Sequence, residues 1–517
     1  MPLWSRAVLP VRLRRRARQS LQLFKTAEER PSLADYSGSR VLIASSTLGN
    51  VDIASLDICL GIRLQKQGAR VSFLVCDGGL SACSLCEKER FIGTIEFART
   101  GPGHTCGYCR GTLQHYIRDF FQVFTYAKLD PEQLFTGGPW LHRFLQGKED
   151  EFRGVPVREH VRSGLIRFYG RVIDFADVPS EIIRRFAEAA CQTVLQVEAI
   201  LKEFSPDVVV VNHGLYVPQG VIVATARAHG VRVVTWHKGY RRNTLLLSHS
   251  DTYHRQLIEE ENTIWDYRDL GDREVNWLTS YMKARRTGGQ DWISFAHQGA
   301  ESRAFKLPHD RHGPLVAVLT NVDWDAQAHF SANTYPDMHS WLQDVLRCVA
   351  QLPEINFVVR VHPAEVTGRR LATTSSADVL REGAKRFPNL FIIEANDPMS
   401  TYQLIESSDL VVVYATKTAV EAAYLGKRVL ICGESCLRGK GVGRDFSQGE
   451  DLPKVVEEMV MTPAPDCRKR AAQYAFHLFG RRMIEWELLS GSQGGKGEKA
   501  ILDGIVLGEP FHAISDC

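Results

Sequence analysis

Two apolar runs in the second half of the chain stop abruptly at polar residues, and they limit the folds open to it. The first is Val358-Val359-Arg360-Val361-His362-Pro363-Ala364-Glu365. The second is Leu410-Val411-Val412-Val413-Tyr414-Ala415-Thr416-Lys417-Thr418, which leads on to Glu421. Short β-branched runs of this kind read as strands buried on both faces. A strand ending in Arg-x-His-Pro sets a cation, an imidazole and a rigid turn at its carboxyl edge. A strand ending in Thr-Lys-Thr and opening a helix sets hydroxyls, an ammonium and backbone N–H groups there. Open α/β sheets bind ligands outside the carboxyl ends of their strands, and N–H groups at a helix start favour anions. Two such edges predict a nucleotide-type ligand.

The rest of the chain alternates strand and helix patterns. Arg40–Ala44 reads as a first strand, followed by the polar loop Ser45–Asn50. A helix follows over about 53–67, with Leu56, Leu60 and Leu64 at fourfold spacing and Gly68 as its stop. Val71–Val75 is the next strand. A long helix is expected over 178–204. Pro206–Val211 is a strand ending at Asn212-His213-Gly214, and after a helix over 220–228 comes the strand Val231–Trp236. Its edge carries His237-Lys238-Gly239-Tyr240-Arg241-Arg242. A second unit has strands at Leu315–Thr320, Phe357–Val361, Leu390–Ile393, Leu410–Val413 and Arg428–Cys432. This order predicts an α/β protein with two Rossmann-like domains and mostly parallel, doubly wound sheets. The 517 residues also exceed the roughly 250–300 at which single cores stop growing. The expected divisions are a basic extension at 1–38, an N-terminal domain at 39–300 with a cysteine-rich insertion at 76–110, a C-terminal domain at 301–485, and a tail at 486–517.

A formal net charge of +3 argues against a nucleic-acid partner. No apolar run approaches the roughly 20 residues of a membrane span, and the basic N-terminus has no apolar core after it. A cytoplasmic protein is expected. Arg12, Arg14, Arg15, Arg16 and Arg18 read either as a loosely docked tail or as a peripheral contact to anionic lipid at the inner membrane face.

Five of the 12 cysteines lie between Cys76 and Cys109. Cys83-x2-Cys86 and Cys106-x2-Cys109 form two knuckles separated by 19 residues. Four thiolates at this spacing suit a tetrahedral, structural Zn²⁺. An iron–sulfur cluster is the alternative, with Cys76 and His104 as spare ligands. No catalytic metal is expected.

Several other side chains sit at predicted strand edges. His213 is a candidate general base, with Asp52 as the second candidate. His237, Lys238, Arg241 and Arg242 are candidates to bind an acceptor or anion. In Thr320-Asn321-Val322-Asp323-Trp324-Asp325, either Asp could act catalytically or cap a loop.

The segment from about 315 to 445 resembles the capsule polysaccharide biosynthesis glycosyltransferases. The likeness rests on Arg360-x-His362-Pro363, on Thr416-Lys417-Thr418 with Glu421, on Ala422–Lys427, on Thr320–Asp325 and on Gly433–Gly441. The resemblance implies a GT-B fold, two Rossmann-like domains across a cleft, with a nucleotide sugar on the C-terminal one. It implies that His362 contacts the donor phosphate, with Arg360, Thr416, Lys417 and Thr418 nearby, and that Glu421 reaches the ribose or sugar. The acceptor would be a surface polysaccharide or lipid-linked glycan. A polyol-phosphate transferase of the teichoic-acid type, a non-hydrolysing nucleotide-sugar epimerase and a zinc-knuckle binding protein are the alternatives.

Overall fold

A computed structural model describes residues 19–86, 93–126, 138–292, 312–324, 334–367, 375–463, 465–492 and 495–512. Two sheets dominate it. The strands of the first are β1 Arg40–Ser45, β2 Arg70–Val75 and β3 Gln122–Thr125. A small hairpin, β4 Glu151–Phe152 and β5 Val155–Pro156, stands apart from the sheet. The first sheet continues with β6 Val208–Asn212, β7 Arg232–Lys238 and β8 Thr244–His249. The second sheet holds β9 Leu315–Leu319, β10 Asn356–Arg360, β11 Leu390–Ile393, β12 Leu410–Val413, β13 Arg428–Ile431 and β14 Arg444–Asp445.

The second sheet runs β11-β10-β9-β12-β13-β14 and is parallel throughout. Helices occupy the connections, so both faces are covered. β9 is buried along its whole length, as its sequence Leu-Val-Ala-Val-Leu requires. The chain winds outward from β9 through β10 and β11, then restarts on the other side at β12. A crevice therefore opens between the carboxyl ends of β9 and β12, at the point where strand order reverses.

The first sheet has the same plan. Its order is β15-β8-β7-β6-β1-β2-β3, where β15 is Ile484–Glu485. Strands β3, β2, β1, β6 and β7 are parallel, β8 is antiparallel to β7, and β15 is antiparallel to β8. Here the order reverses between β1 and β6. The helices Val51–Lys66, Ser180–Phe204 and Gln219–Ala228 fall where apolar periodicity and Gly68 predict them.

Both ends of the chain pack on the first sheet. Residues 19–29 are helical, and Phe24, Ala27 and Tyr36 are buried in the core of the first sheet. The expectation of a loosely docked extension is thus corrected from residue 19 onward; Arg12, Arg14, Arg15, Arg16 and Arg18 lie outside the described residues. The C-terminal segment also returns to the first sheet. It adds β15 and then the helix Lys496–Leu507, whose Ile501, Leu502 and Ile505 join the same core. Arg63 is fully buried and ties the three pieces together. It donates to the carbonyls of Ala27, Arg30 and Pro31 and pairs with Glu498. An arginine this deep is held only because carbonyls and a carboxylate satisfy it.

Exchange also runs the other way. Tyr253, Leu257, Leu278 and Tyr281, from the connection after β8, share one core with Leu315, Val358 and Val411 of the second sheet. Among the described residues, no helix is long and apolar enough to cross a membrane.

Candidate functional site

At the second sheet, His362 follows β10 on a turn. Its backbone N–H donates to Thr320 Oγ1 at 3.0 Å, which joins the β10 and β9 edges. The Ala364 N–H donates to His362 Nδ1 at 3.1 Å. With Nδ1 accepting, the neutral ring carries its proton on Nε2 and presents a donor. Arg360 plays a different part from the one expected. It is buried, and its guanidinium donates to the carbonyls of Glu394 and Asp397, the latter at 3.1 Å. It fastens the loop after β11 to the end of β10.

At the β12 edge, the Thr416 and Thr418 hydroxyls hydrogen-bond each other at 3.2 Å. Lys417 projects toward the first sheet, and its Nζ lies 4.2 Å from the centroid of the Tyr240 ring. Asn321, just beyond β9, donates from Nδ2 to the Ala415 carbonyl at 3.1 Å and closes the β9–β12 crevice at its base. Glu421 does not project into this space. It is buried and accepts from Arg285 at 2.9 Å and from the Tyr402 hydroxyl. Burial opposes its ionisation, but Arg285, Tyr402 and Lys417 outweigh that and hold its carboxyl below the usual range. Arg285 also reaches Asp291 at 2.8 Å. Glu421 therefore locks the connection between the sheets.

At the first sheet, His213 follows β6 in a left-handed backbone conformation, φ 71°. This turns its ring toward His237, at 5.4 Å between centroids, and Tyr216, at 4.8 Å. A β-carbon makes that conformation unfavourable, and at sites of function such strain is held by surrounding structure. His237 Nδ1 donates to the Lys238 carbonyl at 2.8 Å, so its Nε2 is the basic nitrogen. The rings of His237 and Tyr253 are 5.6 Å apart, and the Tyr253 and Tyr240 hydroxyls are separated by 3.5 Å. Lys238 Nζ lies 3.9 Å from Asp52 Oδ2 and 4.4 Å from the centroid of the Trp292 ring. Two pairs thus form at this edge, Asp52 with Lys238 and His213 with His237. Arg241 and Arg242 do not join them: their guanidiniums donate to the carbonyls of Met483 and Asp291 at 2.9 and 2.8 Å.

Asp323 lines a pocket between β9 and β12 with Val172, Val322, Asp337, Met338 and Tyr414. Its Oδ2 lies 3.3 Å from His339 Nε2. Burial pushes its carboxyl up to about 6, with His339 opposing and Glu365 and Asp337 reinforcing the shift. Asp325 lies outside the described residues.

The cysteine segment 76–110 sits beside the first sheet. Cys83 and Cys86 approach to 3.8 Å between sulfurs, and Cys83 accepts from the backbone N–H groups of Leu85 and Cys86. The Gly49 N–H donates to Cys109 at 3.2 Å. A four-thiolate centre is not shown: among the described residues, no three His, Cys, Asp or Glu groups are placed to hold an ion. The segment also has apolar anchors that its polar composition hides. Leu80, Ala82 and Cys86 are buried, and Phe97 packs on Phe168 at 4.8 Å between centroids.

Sequence reasoning did not single out Tyr240, Tyr253 or His254, whose ring lies 3.8 Å from that of Tyr253 and 6.4 Å from that of His213. They lie on a loop and a short helix without a motif, and the folding of the connections after β7 and β8 brings them to the site.

No family model matches the chain. Protein FixF of Sinorhizobium fredii is 26% identical over 176 residues, 32% of this chain. The chain thus spans 40% of the length of the curated relative it matches. Among solved structures, a β-Kdo 2,7 transferase, KpsC of Thermosulfurimonas dismutans, aligns at 15% identity and TM-score 0.36, covering 61% of this chain and 90% of that one. MurG of Acinetobacter baumannii aligns at 12% and 0.28, covering 90% and 99%. The UDP-GlcNAc 2-epimerase of Neisseria meningitidis aligns at 9% and 0.26, covering 85% and 99%. Likeness at TM-scores this low carries no argument about this chain's activity.

Proposed function

We propose that the chain is a GT-B-type glycosyltransferase that moves a sugar from a nucleotide-activated donor to a surface polysaccharide or lipid-linked glycan. The observation that carries this reading is the meeting of the carboxyl edges of the two sheets. The β9–β12 edge offers groups suited to a phosphate, the β6–β7 edge offers bases, and Lys417 on Tyr240 joins them.

In this reading the bond from the anomeric carbon to the leaving phosphate oxygen breaks. The His362 Nε2–H, the Lys417 ammonium and the hydroxyls of Thr416 and Thr418 receive the charge that develops on that oxygen. An acceptor hydroxyl attacks the anomeric carbon and gives its proton to a base on the first sheet. His237 is suited to this, because the Lys238 carbonyl fixes its Nδ1 proton and orients Nε2. His213 stands beside it, with the two ring centroids 5.4 Å apart.

The test is a thermal-shift screen of free nucleoside mono- and diphosphates, followed by transfer from the matching nucleotide sugar to glycan acceptors. A nucleotide that binds the native state raises the melting temperature by mass action. Labelled sugar in the glycan supports the reading. Conversion of the donor alone into an epimeric nucleotide sugar would indicate an epimerase, and labelled phosphate in the product a polyol-phosphate transferase.

A further inference from the structure

The clustered cysteines are a motif that the transfer chemistry above leaves unused. They gather at the carboxyl end of the first sheet, and none forms a disulfide. Cys76 directly follows β2, and Cys83 to Cys86 form a turn beyond it. Cys106 and Cys109 lie three positions apart on the helix His104–Thr112, which places them on one face. Arg110 of that helix donates to the Asp77 carbonyl at 2.7 Å and holds the second knuckle to the end of β2. Cys76, Cys106 and Cys109 are each within electrostatic range of Cys83.

Backbone donors converge on a sulfur in each knuckle. The N–H groups of Leu85 and Cys86 point at Cys83, and the Gly49 N–H comes from across the fold to Cys109. A thiol sulfur is only a weak acceptor. Donors aimed at sulfur favour the thiolate, and buried thiolates this close persist when a cation neutralises them. Among the described residues, no three of these groups stand at ion-binding spacing. Neutral thiols have no attraction that draws them there, and an ion supplies it.

The knuckles also grip both loops at the strand-order reversal of the first sheet. Cys109 holds Gly49, in the loop between β1 and the helix that begins with Val51 and Asp52. Ser84, inside the first knuckle, holds the β6 side. Its carbonyl accepts from Arg167 at 3.1 Å, and its hydroxyl accepts from Gln219 at 3.2 Å. The Arg167 guanidinium in turn lies 4.7 Å from the centroid of Tyr216, the ring beside His213. Cys86 belongs to the core on one face of the sheet and Cys109 to the core on the other.

We propose that Cys83, Cys86, Cys106 and Cys109 hold one zinc ion, and that this ion splints the β1 and β6 loops together across the carboxyl edge of the first sheet. On binding, each thiol gives its proton to solvent and no electron moves. Four thiolates fill a tetrahedral shell and leave no position for substrate, so the ion orders the loops and makes no bond to a reactant. Four thiolates around a divalent ion carry excess negative charge, and Arg110 lies within electrostatic range of Cys106 to offset it. The site stands on its own, whatever ligand the sheet edges take.

The experiment is metal analysis and hydrogen exchange on the full chain, expressed with zinc in the medium and purified under reductant without chelators. About one zinc per chain is expected. Cobalt in its place should give the visible spectrum of tetrahedral thiolate coordination. Stripping the zinc should cost backbone protection in peptides spanning 45–50 and 213–219 and spare those spanning 416–425. A general loss of fold would expose all three. Cys109→Ser should lose the zinc, and Cys467→Ser, outside the segment, should keep it. The metal content of the wild type decides even if Cys109→Ser fails to fold. Protein that takes up neither zinc nor cobalt overturns the inference, as does iron with sulfide in place of zinc. Zinc whose removal leaves both loops protected overturns the splint.

Discussion

Lys417, at the carboxyl edge of the second sheet, holds its ammonium 4.2 Å from the ring centroid of Tyr240, at the carboxyl edge of the first. The negative face of the ring attracts that cation, and the same ammonium acts to lower the carboxyl pKa values of Glu421 and Asp291. Lys417→Met should weaken nucleotide binding roughly tenfold, about 1.4 kcal/mol. Tyr240→Leu should do less, because it removes a positioning contact of about 0.5–1 kcal/mol. Titration calorimetry with the stabilising nucleotide measures both. Unchanged affinity in the two variants would detach this lysine from the site.

His362 offers a sharper test. Its Nε2–H points a single donor, and its backbone holds the β9 and β10 edges together through Thr320. His362→Ala keeps that backbone bond and should leave the melt near wild type. Transfer should fall by the roughly 2–4 kcal/mol that one preorganised donor contributes to the transition state. Turnover close to wild type would remove His362 from the mechanism.

Glu421 and Arg285 should behave as structural partners. Both are nearly fully buried, at 3% and 5% side-chain exposure. Removing one member of such a pair leaves a buried charge uncompensated, and Arg285→Ala should destabilise the protein by about 3–5 kcal/mol. Denaturant unfolding measures this. If Glu421→Gln instead folds normally and loses nucleotide affinity, Glu421 reaches the ligand after all.

Asp57 makes stability depend on pH. It is fully buried and accepts from Ser45 Oγ at 2.7 Å and from Trp236 Nε1 at 2.8 Å. Burial raises its pKa from 3.8 to about 7, against the lowering effect of those two bonds. The folded state thus keeps a proton that the unfolded chain gives up. The contribution of Asp57 to stability is full below 3.8 and is lost as pH rises through about 7. Asp57→Asn should flatten the stability profile across that window. A slope identical to wild type would mean that the carboxyl is ionised throughout.

The cysteine segment still invites a metal test. An edge of a tetrahedral Zn–S4 site with Zn–S of about 2.3 Å is about 3.8 Å long, and Cys83 and Cys86 lie 3.8 Å apart. We expect about one zinc per chain by elemental analysis if the second knuckle completes the site. A brown, sulfide-containing protein would favour the cluster. Metal-free protein with all four thiols titratable would leave Phe97 and Leu80 as what holds the segment.

The sequence by itself determined the two α/β units. Runs such as Val208–Val211 and Leu410–Val413 can be satisfied only as strands buried on both faces, and the helical stretches between them make the sheets parallel. It also placed His213, His362 and Lys417 at strand ends, because a strand stops where its apolar run stops. It did not determine where the arginines point. Arg360, Arg241 and Arg242 have the local pattern of anion binders, yet buried backbone carbonyls claim them. A side chain of that length reaches whichever acceptor folding leaves closest, and that acceptor is distant in sequence. The same holds for Glu421, paired with Arg285 across 136 positions. Only the tertiary structure brought the C-terminal helix back onto the first sheet, set Tyr240 under Lys417 and buried Asp323 at the crevice. Each of these depends on contacts between segments distant in sequence, which no local periodicity encodes.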